Sequence, residues 1–375
     1  MKTHIEINAN HLKHNLALFH RISGRKIMFV VKANAYGHGL REVVRLSKNL
    51  PSIGYYAVDS HQEALDVRQE AGDKKKILVI GWVDDEELGD LIGGGFEFVV
   101  PSPDYLKRAL HLAAKRGKKA LIHLKVDTGT SRLGMDIKEI QRIFDDPDKT
   151  AVEIRGLYSH FANIEDTTDH SFAGRQLARF NELLTRIRSE KILRHFSCSA
   201  SALLFPETYF DMVRVGISAY GYWPSKQTYV SYIEKNQNKI ELKPVLSWFS
   251  KVAQHRSIDK GQYIGYGLTY QAFSNSRMIV IPAGYYDGYD RRLSNISNIL
   301  IRGARAPVRG RICMNMMMAD VTHVENVKEG DRVILIGKEN NEKIDAEYLA
   351  NLSGTIHYEI LSGINPNISR KVVLR

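Results

Sequence analysis

Apolar and polar positions divide the chain up to Tyr220 into short β-branched and aromatic runs, each followed by a longer segment with helical spacing. The runs predict strands at Ile27–Val31, Tyr55–Val58, Ile77–Ile80, Phe96–Val100, Ala120–Val126, Ile154–Ser159, His195–Ser199 and Met212–Ile217. Predicted helices between them include Arg41–Lys48, Gln62–Ala71, Pro103–Lys115 and Phe172–Ser189. Buried parallel strands are apolar on both faces, and eight strand–helix repeats are the number found in a closed barrel. We therefore expect an α/β fold, a (β/α)8 TIM-type barrel with its site at the C-terminal ends of the strands.

Beyond the barrel the pattern changes to strand-like runs separated by Gly and Asn, with little helical spacing. The predicted elements are strands at Val245–Ala253, Met278–Ile281, Ile299–Arg302, Ala306–Arg311 and Arg332–Ile336, and one helix at Asp345–Leu352. The polar stretch Glu234–Asn238 is a candidate linker. This places a barrel in residues 1–235 and a mostly β C-terminal domain in residues 236–375. The opening strand, Thr3–Ile7, precedes the barrel's first strand and is a candidate to pair into the second domain.

Composition is that of a globular protein: of 375 residues, 43% are apolar and 25% are charged. No apolar run approaches the length needed to cross a bilayer, and the N-terminus lacks the apolar core of a signal peptide. Cys198 and Cys313 lie far apart and match neither a metal-site spacing nor a disulfide framework. We therefore expect a cytoplasmic protein with no metal site and no membrane segment.

The formal net charge of +11 and the pI near 9.4 would suit an anionic ligand or a nucleic acid. However, the Lys and Arg residues are scattered through amphipathic helices and mixed with Asp and Glu. No nucleic-acid recognition motif is present in the sequence. We therefore interpret the charge as a solvated basic surface and expect no nucleic-acid partner.

The first barrel strand ends in VVKANAYGHG, residues 30–39, which places Lys32 at the C-terminal rim of the barrel. A lysine that faces the cavity is desolvated, and this lowers its pKa and makes it a nucleophile that forms Schiff bases. Taken alone, a strand-end lysine more often reaches solvent. The run as a whole resembles the cofactor-lysine signature of alanine racemases, and the resemblance continues in the same order through the whole chain.

This resemblance implies a barrel followed by a β domain, pyridoxal 5'-phosphate as cofactor, and a homodimer that interconverts L-alanine and D-alanine. Lys32 would hold the cofactor as an aldimine and act as one of two bases, and Tyr36 would hydrogen-bond the phosphate. Tyr266 would be the second base and would reach the active site of the partner subunit. Two bases are needed because racemisation removes and returns a proton on opposite faces of one planar carbanion. A tyrosine ordinarily titrates near pH 10, so it needs nearby positive charge to serve as a base.

The resemblance also implies a set of cofactor-binding residues. Arg214 would contact the pyridine nitrogen and keep it unprotonated, because a guanidinium is always charged. His160 would orient Arg214. Ser199, Gly216 and Ile217 would hold the phosphate, which suits strand-to-helix turns. The ordinary alternatives are a rim salt bridge for Arg214, a structural role for His160, and a helix N-cap for Ser199.

Substrate binding is implied for Arg132, which would hold the alanine carboxylate in bidentate geometry. The backbone N–H of Met314 would contribute from the partner subunit. Lys125 is a candidate for carbamylation, which would turn a buried cation into an anion that positions the arginine. The ordinary alternative is that Lys125 forms an ion pair with Asp127.

Three positions depart from the family pattern. Cys198 stands where an Asn is frequent, and Asn315 stands where an Asp is common. Pro366 aligns with a tyrosine that touches the phosphate and gates the entrance in well-known members, and proline offers neither a hydroxyl nor an N–H. A racemase that prefers serine or accepts several amino acids is therefore an alternative within the same class.

A non-catalytic pyridoxal-phosphate-binding protein is the alternative from another class, since such proteins share the barrel and its lysine. They resemble only the first half of the chain, whereas Tyr266, the run GYYDG at residues 284–288 and Cys313-Met314 follow in family order here. A decarboxylase of the same barrel type would place an acid at the pyridine nitrogen, where this chain has Arg214. The family resemblance therefore favours an isomerase that supplies D-alanine for a bacterial cell wall.

Overall fold

The computed structural model of the chain describes residues 2–146, 150–187, 192–236 and 239–374. Within it the chain forms two compact units, each with its own core. The first, called the barrel unit here, comprises His11–Ala33 and Val43–Lys243. The second, called the β unit, comprises Met1–Asn10, Asn34–Glu42 and Pro244–Arg375.

The elements are numbered along the chain. The strands are β1 His4–Asn8, β2 Lys26–Val30, β3 Ile53–Val58, β4 Lys76–Val79, β5 Glu97–Val100, β6 Ala120–Lys125, β7 Val152–Tyr158, β8 Leu193–His195, β9 Met212–Val215, β10 Leu246–Lys251, β11 Gln254–Ile258, β12 Ser276–Ile281, β13 Asn298–Ile301, β14 Ala304–Pro307, β15 Met317–Asp320, β16 Arg332–Glu339, β17 Glu342–Ile344 and β18 Arg370–Val373. The helices are α1 Ala9–Ser23, α2 Lys32–Tyr36, α3 Leu40–Ser47, α4 His61–Ala71, α5 Asp85–Gly94, α6 Pro103–Arg116, α7 Ile137–Asp145, α8 Ser171–Arg186, α9 Ser199–Leu204, α10 Lys226–Lys235, α11 Ala346–Ser353 and α12 His357–Ser362. Short 3-10 turns lie at Pro206–Thr208, Ile217–Tyr220, Tyr266–Leu268, Tyr285–Asp287 and Arg291–Leu293.

The barrel unit is built on one parallel sheet in the order β8-β7-β6-β5-β4-β3-β2-β9. The first strand, β2, pairs with the last, β9, in the register Ile27↔Val213, so the sheet curls round towards closure. At the remaining seam, the backbone N–H of Asp211 donates to the carbonyl of Arg194 at 3.1 Å. The expected (β/α)8 barrel is therefore confirmed.

Aromatic side chains pack on the face of the barrel sheet opposite to Met28 and Tyr55, because Phe29 and Tyr56 are the next residues along β2 and β3. Phe29 on β2 lies with its ring centroid 6.2 Å from Tyr56 on β3 and 5.5 Å from Tyr220. The Tyr220 hydroxyl donates to the carbonyl of Val30 at 2.9 Å, which satisfies its one polar group inside an apolar core. The first barrel strand is thus held in place immediately before Lys32.

Helices start close behind the strand ends because the sequence supplies N-caps there. Ser60, Asp84 and Ser102 each accept a hydrogen bond from a backbone N–H in the first turn of α4, α5 and α6. The α5 and α6 helices end at Gly95 and Gly117, both in the left-handed conformation that favours glycine. The short loops that result leave the C-terminal rim of the strands free for chemistry.

The β unit contains a larger sheet in the order β14-β13-β16-β10-β1-β18, with β17 paired to β16, and a smaller sheet in the order β11-β12-β15. The opening strand β1 lies between β10, antiparallel, and β18, parallel. Trp248 on β10 is buried, and its indole N–H donates to the Thr3 hydroxyl at 2.8 Å. Thr3, Ile5 and Ile7 near the start of the chain are therefore part of the core of the β unit.

Several predicted boundaries differ from the structure. The candidate linker Glu234–Asn238 begins too early, because α10 runs to Lys235 with Tyr232 buried on its inner face, and residues 237–238 lie outside the described part. The α8 helix is described to Arg186, so the predicted end at Ser189 also falls outside. The polar strand β11 was not predicted.

None of the helices in the described part of the chain is long and apolar enough to cross a membrane. Within the same residues, no group of three or more His, Cys, Asp or Glu side chains is arranged to hold a metal ion. Both cysteines are free thiols, and Cys198 is buried.

Candidate functional site

Lys32 follows β2 directly and opens a turn with unusual backbone geometry. Ala33, Asn34, Ala35 and Tyr36 all have φ of 53°, so α2 is a single left-handed helical turn. Non-glycine residues avoid this region at a cost of roughly 1–2 kcal/mol each. The Asn34 side chain compensates in part, because its Oδ1 accepts the backbone N–H of Leu40 at 2.9 Å. Strain of this kind concentrates at functional sites, where the surrounding structure maintains it.

The Lys32 ammonium lies 3.1 Å from Oδ1 of Asp59, which follows the neighbouring strand β3. The lysine side chain is 39% exposed, so it is less shielded from water than the sequence led us to expect. Asp59 itself is held at the helix start by its backbone N–H, which donates to Glu63. Sequence reasoning missed Asp59, although its position after the next barrel strand would have placed it at the same rim.

Arg214 on β9 is buried and fully engaged at both terminal nitrogens. Nη1 donates to the carbonyl of His195 at 2.8 Å and to its ring Nδ1 at 2.9 Å. Nη2 donates to the carbonyls of Ser159 at 2.8 Å and Phe196 at 3.1 Å, and to the His160 ring at 3.2 Å. Among the described residues, no side chain or carbonyl accepts the Nε–H, and no carboxylate forms an ion pair with the guanidinium. The ordinary alternative, a rim salt bridge, is thus absent from the described part, and neutral acceptors surround the positive charge.

His160 makes the expected contact with Arg214, although its role stays a prediction. Burial and the positive charge of Arg214 lower the pKa of His160 to about 3, so its ring is neutral at physiological pH. Because a guanidinium only donates, the His160 Nδ1 at 3.2 Å must accept and the proton lies on Nε2. A neutral histidine here adds an acceptor without adding charge.

The three residues expected at the phosphate meet at two short helix starts. The Ser199 hydroxyl accepts the backbone N–H of Gly216 at 3.1 Å, and Ile217 begins the next 3-10 turn. The ordinary alternative for Ser199 is wrong, because Cys198 is the N-cap and Ser199 is the first helical residue. Ser218 is buried, and its hydroxyl has no hydrogen-bond partner among the described residues.

Lys125 ends β6, where its ammonium lies 5.7 Å above the centre of the Tyr158 ring. Burial, together with the charges of Arg132 and Arg214, lowers the pKa of Lys125 to about 8. The ordinary alternative, an ion pair with Asp127, does not form. The Asp127 carboxylate instead accepts backbone N–H groups of the loop that follows, Gly129 to Ser131.

Arg132 lies in that loop and is exposed. The charge of Arg132 lowers the pKa of both Lys125 and His160, so its guanidinium lies in the same region as these two side chains. The charge of Lys32 acts on the same two groups. Lys32, Lys125, Arg132 and Arg214 therefore form one cationic cluster at the barrel rim, an environment that favours anionic ligands.

The remaining predicted residues lie in the β unit. Tyr266 is 73% exposed between two glycines with positive φ, Gly265 and Gly267. Met314 is exposed, and its backbone N–H has no acceptor among the described residues, while its carbonyl accepts the N–H of Tyr286 at 2.9 Å. The backbone here is tightly packed, because a Cβ on Gly284 would lie 2.1 Å from the carbonyl of Cys313.

Tyr36 also belongs to the β unit, with its ring 6.1 Å from that of Tyr358. The residues that depart from the family pattern lie there too, apart from Cys198. The Asn365 side chain donates to the Tyr286 carbonyl at 3.0 Å, which fixes the segment that carries Pro366. The structure therefore gathers Lys32, Lys125, Arg132, His160, Ser199, Arg214, Gly216 and Ile217 in the barrel unit, and Tyr36, Tyr266 and Met314 in the β unit.

Comparison with known proteins identifies the family of this chain. Residues 7–224 match the family model described as alanine racemase, N-terminal domain, and residues 245–372 match alanine racemase, C-terminal domain. The chain is 36% identical over 375 residues to the alanine racemase of Leptospira interrogans, covering 98% of this chain and 95% of that one.

Solved structures agree along the whole chain. The alanine racemase of Clostridium difficile 630 superposes with a TM-score of 0.92 at 30% identity, covering 100% of this chain and 96% of that one. The alanine racemase of Bartonella henselae, solved with covalently bound pyridoxal phosphate, gives a TM-score of 0.88 at 27% identity, with both chains covered completely. A parallel barrel followed by a mostly β domain is the fold that this chain shares with these structures of racemases, which are isomerases. The chain belongs to the alanine racemase family, which confirms the resemblance seen in the sequence.

Proposed function

We propose that the chain interconverts L-alanine and D-alanine with pyridoxal 5'-phosphate as cofactor. Family membership over both domains supports the activity. The observation that carries the proposal is the state of Arg214, a buried cation held by neutral acceptors whose Nε–H is left without a partner among the described residues. A pyridine nitrogen is a neutral acceptor that would complete this set without removing the arginine's charge.

The other residues of the barrel unit also fit this cofactor. Lys32 supplies the primary amine that would bind it covalently. The cationic cluster and the buried, unpartnered hydroxyl of Ser218 suit a phosphate beside Ser199 and Ile217. Tyr36 would add a hydroxyl to the same group. When bound, the cofactor supplies a conjugated ring that stabilises the carbanion left after alanine loses its α-proton.

Two side chains of this protein would handle the α-proton. The Nζ of Lys32 would hold it on one face of the substrate carbon, and the phenol oxygen of Tyr266 would hold it on the other. The phenol needs positive charge nearby, because its ordinary pKa near 10 would leave it protonated at neutral pH. The cationic cluster of the barrel unit supplies such a charge to any tyrosine that enters it.

Arg214 would favour racemisation over transamination. Because it only donates, it would hold the pyridine nitrogen as an acceptor and so unprotonated. An unprotonated ring withdraws electrons more weakly, and this disfavours proton return at carbon atoms other than the substrate's. The neutral ring of His160 would keep the guanidinium in this orientation. The chain would therefore racemise alanine with little transamination.

Arg132 and the Met314 N–H would bind the substrate carboxylate. Arg132 is exposed and forms no hydrogen bond with another described residue, so its fork of donors is available. Lys125, with its pKa lowered to about 8, has a substantial neutral fraction that can react with carbon dioxide. Its carbamate would be an anion inside the cationic cluster and would position Arg132 as an ion-pair partner.

The β unit supports the proposal of a homodimer. It exposes large apolar side chains, including Tyr263, Tyr266, Leu268, Phe273, Tyr286, Met314 and Met316. Exposed apolar sets of this size mark interaction surfaces. We place Tyr266 and Met314 in the active site of the partner subunit, so that a complete site requires two chains. A cytoplasmic setting and a role in cell-wall supply remain what the family resemblance implies.

The decay of optical activity of L-alanine and, separately, L-serine tests the proposal with purified protein and added cofactor. Faster decay for alanine supports it, with Lys32→Ala as the inactive control. Preference for serine would instead favour the broader racemase and would implicate the segment around Asn315 and Pro366. Cofactor binding without decay of either amino acid would favour the non-catalytic alternative, which the match to the C-terminal domain already opposes.

A further inference from the structure

Behind Arg214, a line of buried side chains crosses the barrel interior. Nε2 of His195 lies 2.9 Å from Nδ1 of His123, and Nε2 of His123 lies 2.7 Å from Oε2 of Glu97. Both histidines are fully buried, and Glu97 is 5% exposed. The line therefore joins a buried cation, Arg214, to a buried carboxylate through two imidazole rings and nothing else.

The direction of every hydrogen bond in this line follows from its two ends. Arg214 only donates, so Nδ1 of His195 accepts and the His195 proton lies on Nε2. That proton is donated to Nδ1 of His123, whose own proton must then lie on Nε2. An ionised Glu97 only accepts, so it takes the last hydrogen bond. Both rings are thereby neutral and held in the same tautomer.

The surroundings of Glu97 keep it ionised. Burial raises the pKa of its carboxyl, but the hydrogen bonds donated by His123 and Tyr55 and the charge of Lys76 lower it, and the net shift is downward. The Tyr55 hydroxyl donates to Oε1 at 3.3 Å, on the side away from His123. At the other end, burial and the Arg214 charge hold the pKa of His195 well below its ordinary value.

The fold makes space for this line. A Cβ on Gly156 of β7 would lie 2.2 Å from Nδ1 of His123, so the strand has no side chain where the ring passes. The ring of Tyr158 stacks on His195 at 4.8 Å with an interplanar angle of 3°, and the Arg214 guanidinium lies 5.2 Å above the same tyrosine ring. Unsatisfied buried polar groups cost free energy, so the loss of any one hydrogen bond in this line would destabilise the fold.

We infer that Glu97 and His123 are positioning residues, which act through His195 to fix the orientation of Arg214. The Glu97 carboxylate fixes the tautomers of His123 and His195, and this keeps Nδ1 of His195 an acceptor. Because that acceptor holds Nη1 of Arg214, the Nε–H of the arginine keeps its direction. Since the function of the Nε–H rests on the proposed cofactor, the inference rests on the proposed function. It assigns the cause of Arg214's geometry to a residue on a strand four places away in the sheet.

Glu97→Gln is the informative variant because glutamine both donates and accepts at the same volume. A donating amide would reverse the His123 tautomer, and the reversal would propagate to His195 and oppose Arg214. Tyr55→Phe is the matched control, since it removes the other hydrogen bond on Glu97 and leaves the line intact. Thermal unfolding of each variant shows whether the barrel is retained.

Nitrogen NMR of 15N-histidine-labelled protein without added cofactor tests the inference, with signals assigned from His123→Gln and His195→Gln. In the wild type at neutral pH, both rings should be neutral with the proton on Nε2, and Tyr55→Phe should leave them so. Glu97→Gln should populate the Nδ1–H tautomer at His195. Wild-type rings that are charged or protonated on Nδ1 would overturn the inference, even if Glu97→Gln fails to fold.

Kinetics of the loaded enzyme supply the second measurement. For Glu97→Gln we expect kcat for alanine racemisation to fall about tenfold with KM little changed, a loss of ~1.4 kcal/mol. Tyr55→Phe should retain the wild-type kcat. A changed tautomer with unchanged kcat would refute the positioning role. An inactive wild type with the expected tautomers would refute the proposed function alone, so the two failures are distinguishable.

Discussion

The ammonium of Lys32 lies 3.1 Å from the carboxylate of Asp59 at the ends of two neighbouring barrel strands. Both side chains are substantially exposed, so the pair is of the surface type that contributes about 0.2–1 kcal/mol. The contact nevertheless bears on function, because the Nζ of Lys32 has to leave the carboxylate before it can attack a carbonyl. Asp59 therefore restrains the nucleophile that we assign to the cofactor.

We predict that Asp59→Asn speeds the covalent reaction of Lys32 with added pyridoxal phosphate by about two- to fivefold, the factor that a surface ion pair supplies. The amide keeps the size of the side chain and removes the charge that stabilises the ammonium. Stopped-flow absorbance of the adduct measures the rate. Asp104→Asn, which removes a similar exposed ion pair on α6, is the control. A slower reaction in Asp59→Asn would show that the carboxylate assists the attack.

The sequence predicts the fold better than it predicts the site. Most barrel strands were predictable because they are largely apolar on both faces, as in FVV of β5. The predicted strand His195–Ser199 was misplaced, since β8 is Leu193–His195 with the partly polar sequence LRH and Ser199 already begins α9. The strand β11 was not, because Gln254, His255, Arg256 and Ser257 carry no alternation and most of them are exposed. Its pairing with β12 depends on backbone hydrogen bonds, and these leave no trace in a hydropathy pattern because every residue type can form them.

The candidate site was predictable where residues are close in sequence or match the family pattern. The left-handed turn after Lys32 was not, since Ala33 and Ala35 carry no sign of positive φ. The line from Arg214 to Glu97 was missed for a different reason. Its members lie on different strands, with a sequence separation of 72 between His123 and His195 and of 26 between Glu97 and His123. Only the closure of the sheet brings them together.

For Arg214→Glu we predict a fall of about 100-fold in racemisation, the size of effect found when one oriented donor is lost from an active site. A glutamic acid would protonate the pyridine nitrogen and strengthen the ring as an electron sink. Transamination, in which alanine leaves as pyruvate and its amino group stays on the cofactor, should rise relative to racemisation. Pyruvate and D-alanine are quantified together, with Arg214→Lys as the control that keeps the charge. An unchanged ratio in the glutamate variant would contradict the role assigned to Arg214.

We predict that Lys125 takes up carbon dioxide as the pH rises through its lowered pKa of about 8. Below that pH the folded protein holds the charged ammonium, which cannot form a carbamate, and above it the neutral amine dominates. Carbon NMR with 13C-bicarbonate, recorded at several pH values on either side of about 8, should show a carbamate signal that grows with pH. Lys125→Arg is the control, because a guanidinium stays charged. The same signal in that variant would assign it to another amine.

The division of the catalytic bases between two chains can be tested by mixing inactive variants. Lys32→Ala and Tyr266→Phe should each lower racemisation by roughly 10²–10⁴-fold, the usual contribution of a positioned base. If Tyr266 serves the partner's site, a dimer of one Lys32→Ala chain and one Tyr266→Phe chain has one site with both substitutions and one site with neither. Dissociating the two proteins and letting them reassociate together should therefore restore activity. Tyr263→Phe, which changes a neighbouring exposed tyrosine, should be active without mixing.

If mixing restores nothing although mixed dimers form, Tyr266 acts within its own chain or is not a base. Deuterium exchange then separates these outcomes, since loss of one base should leave α-proton exchange in a single enantiomer only.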